Sequence, residues 1–275
     1  MPWASREMID VGSLSWADLR RGYVTQFHIV GALMMREMRT RFGNRQFGYA
    51  WALIEPLIQI GILVFIFRML GRRPPLGTSF EAFFLNGFVP YSLFNQISLR
   101  SAQAIVANRA LLALPPVRNM DTVWARIILE AATGTVSLIL LMAIFGYFGV
   151  PIVPNDLLQY VLGLASAISL GAGIGVFNAS MSSIWNIWPT IYSWFARLQY
   201  FLCGVFFLPD FMPPTVRSTL AYNPLAHCLM WIREGFYSGY ESIILDKYYP
   251  ITFAIIAAIL GMTIERVFRR QVEQL

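Results

Sequence analysis

The chain is expected to be an all-α polytopic membrane protein, and three observations predict this. Of its 275 residues, 57% are hydrophobic and only 13% charged, about half the charged fraction of a soluble domain. Its mean hydropathy of +0.56 comes from several apolar runs that approach or exceed the ~20 residues needed to cross ~30 Å of hydrocarbon. The formal net charge of +6 is modest and spread along the chain. That suits topology control and lipid headgroup contact, not a nucleic-acid footprint.

Residues 1–25 are a polar lead without an apolar core segment, so no signal peptide is expected and the N-terminus should stay inside. Residues 26–47 predict an interfacial amphipathic helix. Phe27, Val30, Met34, Met38 and Phe42 share one face of the wheel, with Arg36 and Arg39 opposite. Arg41 and Arg45 continue the basic stretch, whose charge faces headgroups or a partner. The alternative is an ordinary packed amphipathic helix.

The first span, 48–70, carries Glu55 and Pro56 inside hydrocarbon, where a carboxylate is costly and usually functional. The second, 80–103, contains Asn86, Pro90, Asn95 and Gln96. It should be kinked or face protein and not lipid. A short helix over 104–114, carrying Asn108 and Arg109, stops at Pro115-Pro116 and is the best candidate for a coupling element. The alternative is an ordinary turn. The third span, 121–148, holds Glu130, a buried carboxylate with no obvious partner. The fourth, 156–181, repeats Gly163, Ala167, Gly171, Gly175 and Ala179, a ridge that lets another helix come close, in this chain or a second copy. The fifth covers 187–208. Residues 209–247 predict an outer re-entrant segment, because Pro224–Tyr237 is too short to span. The last span, 248–265, leads to a tail, 266–275, with Arg266, Arg269 and Arg270. Six spans with both termini inside place fourteen arginines or lysines on the cytoplasmic side against six outside, as the positive-inside bias requires.

Catalysis has no visible constellation. No GxxxxGK[ST] loop cradles phosphate, and no acidic pair of the DxxD kind stands ready to hold a metal for lipid-phosphate chemistry. His28 and His227 fall on opposite sides of the expected membrane. Cys203 and Cys228 form neither a disulfide framework nor a CxxC pair.

Candidate functional residues lie elsewhere. Trp185, Trp188, Tyr192, Phe195 and Gln199 recur at helical spacing on one face of the fifth span, near Arg197. Aromatic faces stack on pyranose rings, which suits a polymer that slides. The alternative is an interfacial belt for the two tryptophans and plain packing for Tyr192 and Phe195. Glu55 and Arg197 would offset each other's burial cost if they met in the membrane.

The stretch Arg41-Phe42, Gly48, Trp51 and Pro56 resembles the opening motif of permease subunits of type-2 ABC transporters that export bacterial polysaccharide. Asn223, Pro224, Leu225, His227 and Arg233 resemble that family's outer-segment motif. The resemblance extends over about residues 25–270, and Glu55-Pro56 and the proline break within 107–121 look like the capsule-export branch. By resemblance, two copies form one channel and two separate ATPase subunits dock beneath it, at the interfacial helix (Arg36, Arg39, Arg41) and at the 104–114 helix (Asn108, Arg109). The re-entrant helices with Asn223, Pro224, His227 and Arg233 would close the exit. The resemblance also implies that ATP and magnesium sit on the partner ATPase and that this chain binds no cofactor. A periplasmic polysaccharide co-polymerase and an outer-membrane export pore are further expected partners. O-antigen or teichoic-acid export shares the architecture, and a membrane-bound glycosyl or phosphosugar transferase is the reading from a different class.

Overall fold

The computed structural model describes residues 16–42, 48–108 and 117–272, and among these it holds helices and connecting turns but no strand. Helix α1 runs from Trp16 to Phe42, so the helix begins ten residues before the amphipathic pattern does. Helix α2 spans Gly48–Met69 with Pro56 inside it. Helix α3, Phe80–Ser101, is capped by Ser79, whose hydroxyl accepts from the Ala82 amide at 3.4 Å. A four-residue helix α4, Ala104–Ala107, follows, and the remainder of the expected 104–114 helix, with Arg109, lies outside the described residues.

Helix α5 covers Asn119–Tyr147. Asp121, in its first turn, accepts from the Arg118 amide at 2.9 Å, satisfying a donor that the helix start would otherwise leave free. Helix α6, Leu157–Ile184, is capped by Asp156, which accepts from the Gln159 amide at 3.1 Å. Helix α7, Trp188–Leu202, is followed by a 3-10 turn at Pro209–Phe211 and the short helix α8, Pro214–Leu220. Helix α9 is Pro224–Phe236, and helix α10 closes the chain as Tyr249–Val272.

Among the described residues, four helices are long and apolar enough to cross a bilayer: residues 50–69, 119–147, 157–184 and 249–268. Two expected spans differ. Helix α3 has the length, but most of its surface is buried in the protein and it keeps Asn86 and Ser98 at zero exposure, consistent with a helix that faces protein. Helix α7 has only 15 residues, about 22 Å at 1.5 Å per residue, and falls short of the expected 187–208. The apolar composition runs on to Leu208, but the chain turns at Gly204, whose φ of +89° is open to glycine and strained for other residues.

Helix α6 is the axis of the fold. Its small-residue ridge packs within the chain: a Cβ on Gly163 would meet the Ile232 backbone of α9 at 2.7 Å, and one on Gly171 would meet Ile97 of α3 at 3.2 Å. A second seam brings α10 as close, since a Cβ on Gly173 would strike the Ala254 backbone and one on Gly261 the Phe177 backbone at 2.7 Å. With Gly175 facing Ser101, these pairings make α3, α6 and α10 run in one direction, and Gly134 against Leu93 with Glu130 against Arg100 sets α5 antiparallel to α3. The core between them is Phe83, Phe84, Phe94, Ile97, Leu170 and Leu229, all at 2% exposure or less. Polar contacts gather at the two ends of this bundle, one carrying α1 and the other carrying α9.

Candidate functional site

At the α1 end, α1 lies across α5. Gln26 bonds Asp121, and Glu37 pairs with Arg126. Arg36 of α1 donates to the Asn108 amide oxygen at 3.0 Å, and Asn108 donates to the Ala104 carbonyl at 2.9 Å. Two of the residues expected at the docking surface, Arg36 and Asn108, are therefore in direct contact. Arg39 is exposed, while the Arg41 side chain and all of Arg109 lie outside the described residues.

Glu130 has the partner that sequence reading missed: Arg100 of α3 donates to it at 2.8 Å, and the Glu130 side chain is only 2% exposed. Arg126, one turn earlier on the same face of α5, also donates to the Arg100 carbonyl at 3.2 Å. Asn119 donates to Glu265 at 2.9 Å and so ties α5 to α10.

On the outer side of the bundle, the aromatic face of α7 divides. Trp188, Tyr192 and Phe195 line an apolar groove of about 480 Å³ together with Phe177 of α6 and Phe253 and Leu260 of α10. The Trp188 indole donates to Asn178 at 3.0 Å, and Asn178 donates to the Ser98 carbonyl at 3.2 Å. These bonds fix the Asn178 amide in the groove wall. Trp185, whose ring centroid is 6.5 Å from that of Trp188, is exposed beyond it. Tyr192 is buried and Phe195 half open, with ring centroids 6.4 Å apart.

Gln199 does not line this groove. It exchanges hydrogen bonds of 3.0 and 3.2 Å with the Asn223 side chain, so a residue expected in the pathway grips one expected at the gate. Glu55 and Arg197 are both exposed, and the structure records no ion pair between them.

At the α9 end the outer motif is a fold-holding unit. Asn223 caps α9 by accepting from the Leu225 amide at 3.1 Å, and Pro224 occupies the first helical position, where its missing N–H costs nothing. His227 is 3% exposed. Its Nδ1 accepts from the Asp246 amide at 3.0 Å, which leaves Nε2 to donate to the Ala221 carbonyl at 2.8 Å. Two backbone partners thus select one neutral tautomer.

Arg233 has zero exposure. It donates to the carbonyls of Gly204 at 2.7 Å, Val205 at 3.3 Å and Phe207 at 3.3 Å, and its guanidinium lies 4.3 Å from the Phe83 ring centroid. It pins the turn that ends α7 onto α9 and α3. Gly87 exists for the same contact, since a Cβ there would meet the Arg233 Nη2 at 2.8 Å.

Asp210, which the sequence did not single out, accepts from Ser242 and from the Ile243 amide at 3.0 Å each and from Tyr240. Burial and the adjacent Asp210 carboxyl push the Tyr240 phenol above the ordinary tyrosine range. Cys203 and Cys228 are both buried free thiols.

A bundle of long apolar helices, with an amphipathic helix across one end and short capped helices folded over the other, is that of a membrane-embedded subunit. Residues 28–237 match the family described as ABC-2 type transporter, and the chain belongs to that family. It is 34% identical over 247 residues to the polysialic acid transport protein KpsM of Escherichia coli, covering 90% of this chain and 96% of that protein. It is 25% identical over 248 residues to the capsule polysaccharide export inner-membrane protein CtrC of Neisseria meningitidis, covering 90% and 94%. It is 20% identical over 251 residues to the O-antigen export system permease protein RfbA of Klebsiella pneumoniae, covering 88% and 92%.

Proposed function

We propose that this chain is the permease subunit of an ATP-driven exporter that carries capsular polysaccharide across the inner membrane. The observation that carries this reading is the 34% identity to a polysialic acid transport protein, sustained over 90% of the chain. The identity is lower, 20%, to an O-antigen permease. O-antigen or teichoic-acid export is therefore the second reading, and a carbohydrate-binding domain on the partner ATPase would, if found, favour it. Neighbouring genes for a periplasmic co-polymerase and an outer-membrane export pore would, if found, favour capsule.

In this reading the chain crosses the membrane six times with both termini cytoplasmic, α3 and α7 completing the four long spans with help from their neighbours. Two copies build the channel. Two ABC ATPase subunits hold ATP and magnesium and dock on α1 and on residues 104–114. The chain itself catalyses nothing.

The polymer path runs along α2 and α7. Glu55 and Arg197 support this, because a charge exposed to lipid is expensive and both are open on the surface of a single chain. Facing a hydrated path or a second copy removes that cost. Trp185, Trp188, Tyr192 and Phe195 offer stacking surface beside them, and Arg197 attracts acidic sugars. At the far end, Asn223, Pro224, His227 and Arg233 hold the exit helices in shape without touching the polymer.

The test is to delete the gene and follow labelled polymer. Polymer accumulating inside the cell is the expected result, and absence of polymer altogether would make the chain a synthetic enzyme.

A further inference from the structure

The α1 end contains a charge arrangement that neither packing nor docking alone requires. Arg126 and Glu130 are one turn apart on α5 and share a face, the spacing at which opposite charges on a helix pair with each other. Here the two charges attract each other, and each also reaches a different neighbour. Arg126 pairs with Glu37 on α1, and Glu130 receives Arg100 of α3 at 2.8 Å. Arg126 also donates to the backbone carbonyl of Arg100 at 3.2 Å, joining the two arms. The third side closes away from α5, where Arg36 of α1 donates to Asn108 at 3.0 Å, just beyond α4.

We infer that Arg126 and Glu130 are positioning residues for the transport stroke, holding α1 and the 104–108 stretch in one rigid triangle with α5. This inference rests on the reading of the chain as an ATP-driven permease. The physical argument concerns register. Apolar contacts between helices tolerate sliding, whereas charge-assisted hydrogen bonds fix direction and distance, and more firmly where solvent is thin. The Arg126 and Glu37 side chains are 16% and 15% exposed, and Glu130 is 2% exposed, so water screens none of them fully. A push on either α1 or 104–108 is then delivered to α5 and α3 together, and not dissipated in one element.

The experiment uses the complete complex of this chain with its ATPase, purified and placed in inverted vesicles. Three versions are compared with the unmodified one: Arg126→Gln, Glu37→Gln, and the double variant Glu37→Gln with Arg126→Gln. Three quantities are read: co-purified ATPase, rate of ATP hydrolysis, and polymer moved per ATP. The single variants should keep the ATPase bound and hydrolysing while polymer moved per ATP falls about tenfold, within the usual range of coupling between separate sites. The double variant should lose little more than either single one, because the two changes remove the same bond.

Unchanged polymer per ATP in the single variants would overturn the inference. So would loss of bound ATPase in all three versions, because the pair would then only hold the fold. If the unmodified complex moves no polymer, the permease reading itself fails, a result separable from both.

Discussion

Ser137 donates its hydroxyl to the carbonyl of Ala52 at 3.1 Å, and Ala52 is the residue four before Pro56. In an α-helix that carbonyl accepts from the amide four residues later, and proline has none. A serine on α5 therefore supplies the bond that the proline of α2 removes, so the freed carbonyl is satisfied by a neighbouring helix as the membrane interior demands. Ser137→Ala should lower stability by about 1 kcal/mol. Thermal unfolding of the detergent-solubilised protein measures this, and the loss should vanish when Pro56→Ala restores the internal bond.

Arg233 should be the most sensitive residue of the outer motif. Replacing it with Met leaves the carbonyls of Gly204, Val205 and Phe207 without the donors they now have. At ~1–3 kcal/mol for each buried group left unpaired, the loss should exceed ~3 kcal/mol and lower the yield of folded protein. Gly87→Ala should act in the same direction through the 2.8 Å approach of its Cβ to the guanidinium. Size-exclusion profiles and unfolding temperatures of both variants test the pair.

Gln199 and Asn223 should be energetically coupled. Their side chains exchange two hydrogen bonds, so Gln199→Leu and Asn223→Ala should not add. A double-mutant cycle should return a coupling of about 1 kcal/mol, the usual size for residues that share a bond. Additive losses would mean that the bonds contribute nothing.

Tyr192 and Phe195 test the path. The double variant Tyr192→Ala with Phe195→Ala should abolish surface polymer while the ATPase still co-purifies. Because both rings border the apolar groove against α10, the same protein should also unfold at a lower temperature. Normal surface polymer would remove these residues from the path.

Much of the architecture was legible in residue order. The ridge from Gly163 to Ala179 announces a close helix contact because small side chains repeat every four residues, and Gly163 and Gly171 do sit against α9 and α3. Asn86, Asn95 and Gln96 likewise mark α3 as a helix turned toward protein.

The site was less legible, for reasons of distance and geometry. Glu130 looked partnerless because Arg100 stands 30 residues away and belongs to another helix, so no local spacing joins them. Arg126 carried a readable signal, its four-residue offset from Glu130, but an intrahelical pair is the reading that offset invites. Sequence leaves open whether Glu55 and Arg197 meet, since complementary charge alone links them, and both are exposed on this chain.

The fifth span was drawn to Leu208 because hydropathy counts side chains, and the stop at Gly204 is a backbone event. His227 and Arg233 read as gate residues from their place in the motif. Their burial against backbone carbonyls and amides is a tertiary fact that composition does not carry.

The most direct test of the account is ATP-dependent movement of polymer by the purified chain with its ATPase. Inverted vesicles containing both, given labelled capsular polysaccharide, should shelter polymer from added lyase only when ATP is hydrolysed, and vesicles lacking either subunit should shelter none. Polymer sheltered by this chain without an ATPase, or sugar transfer catalysed by the chain alone, would contradict it.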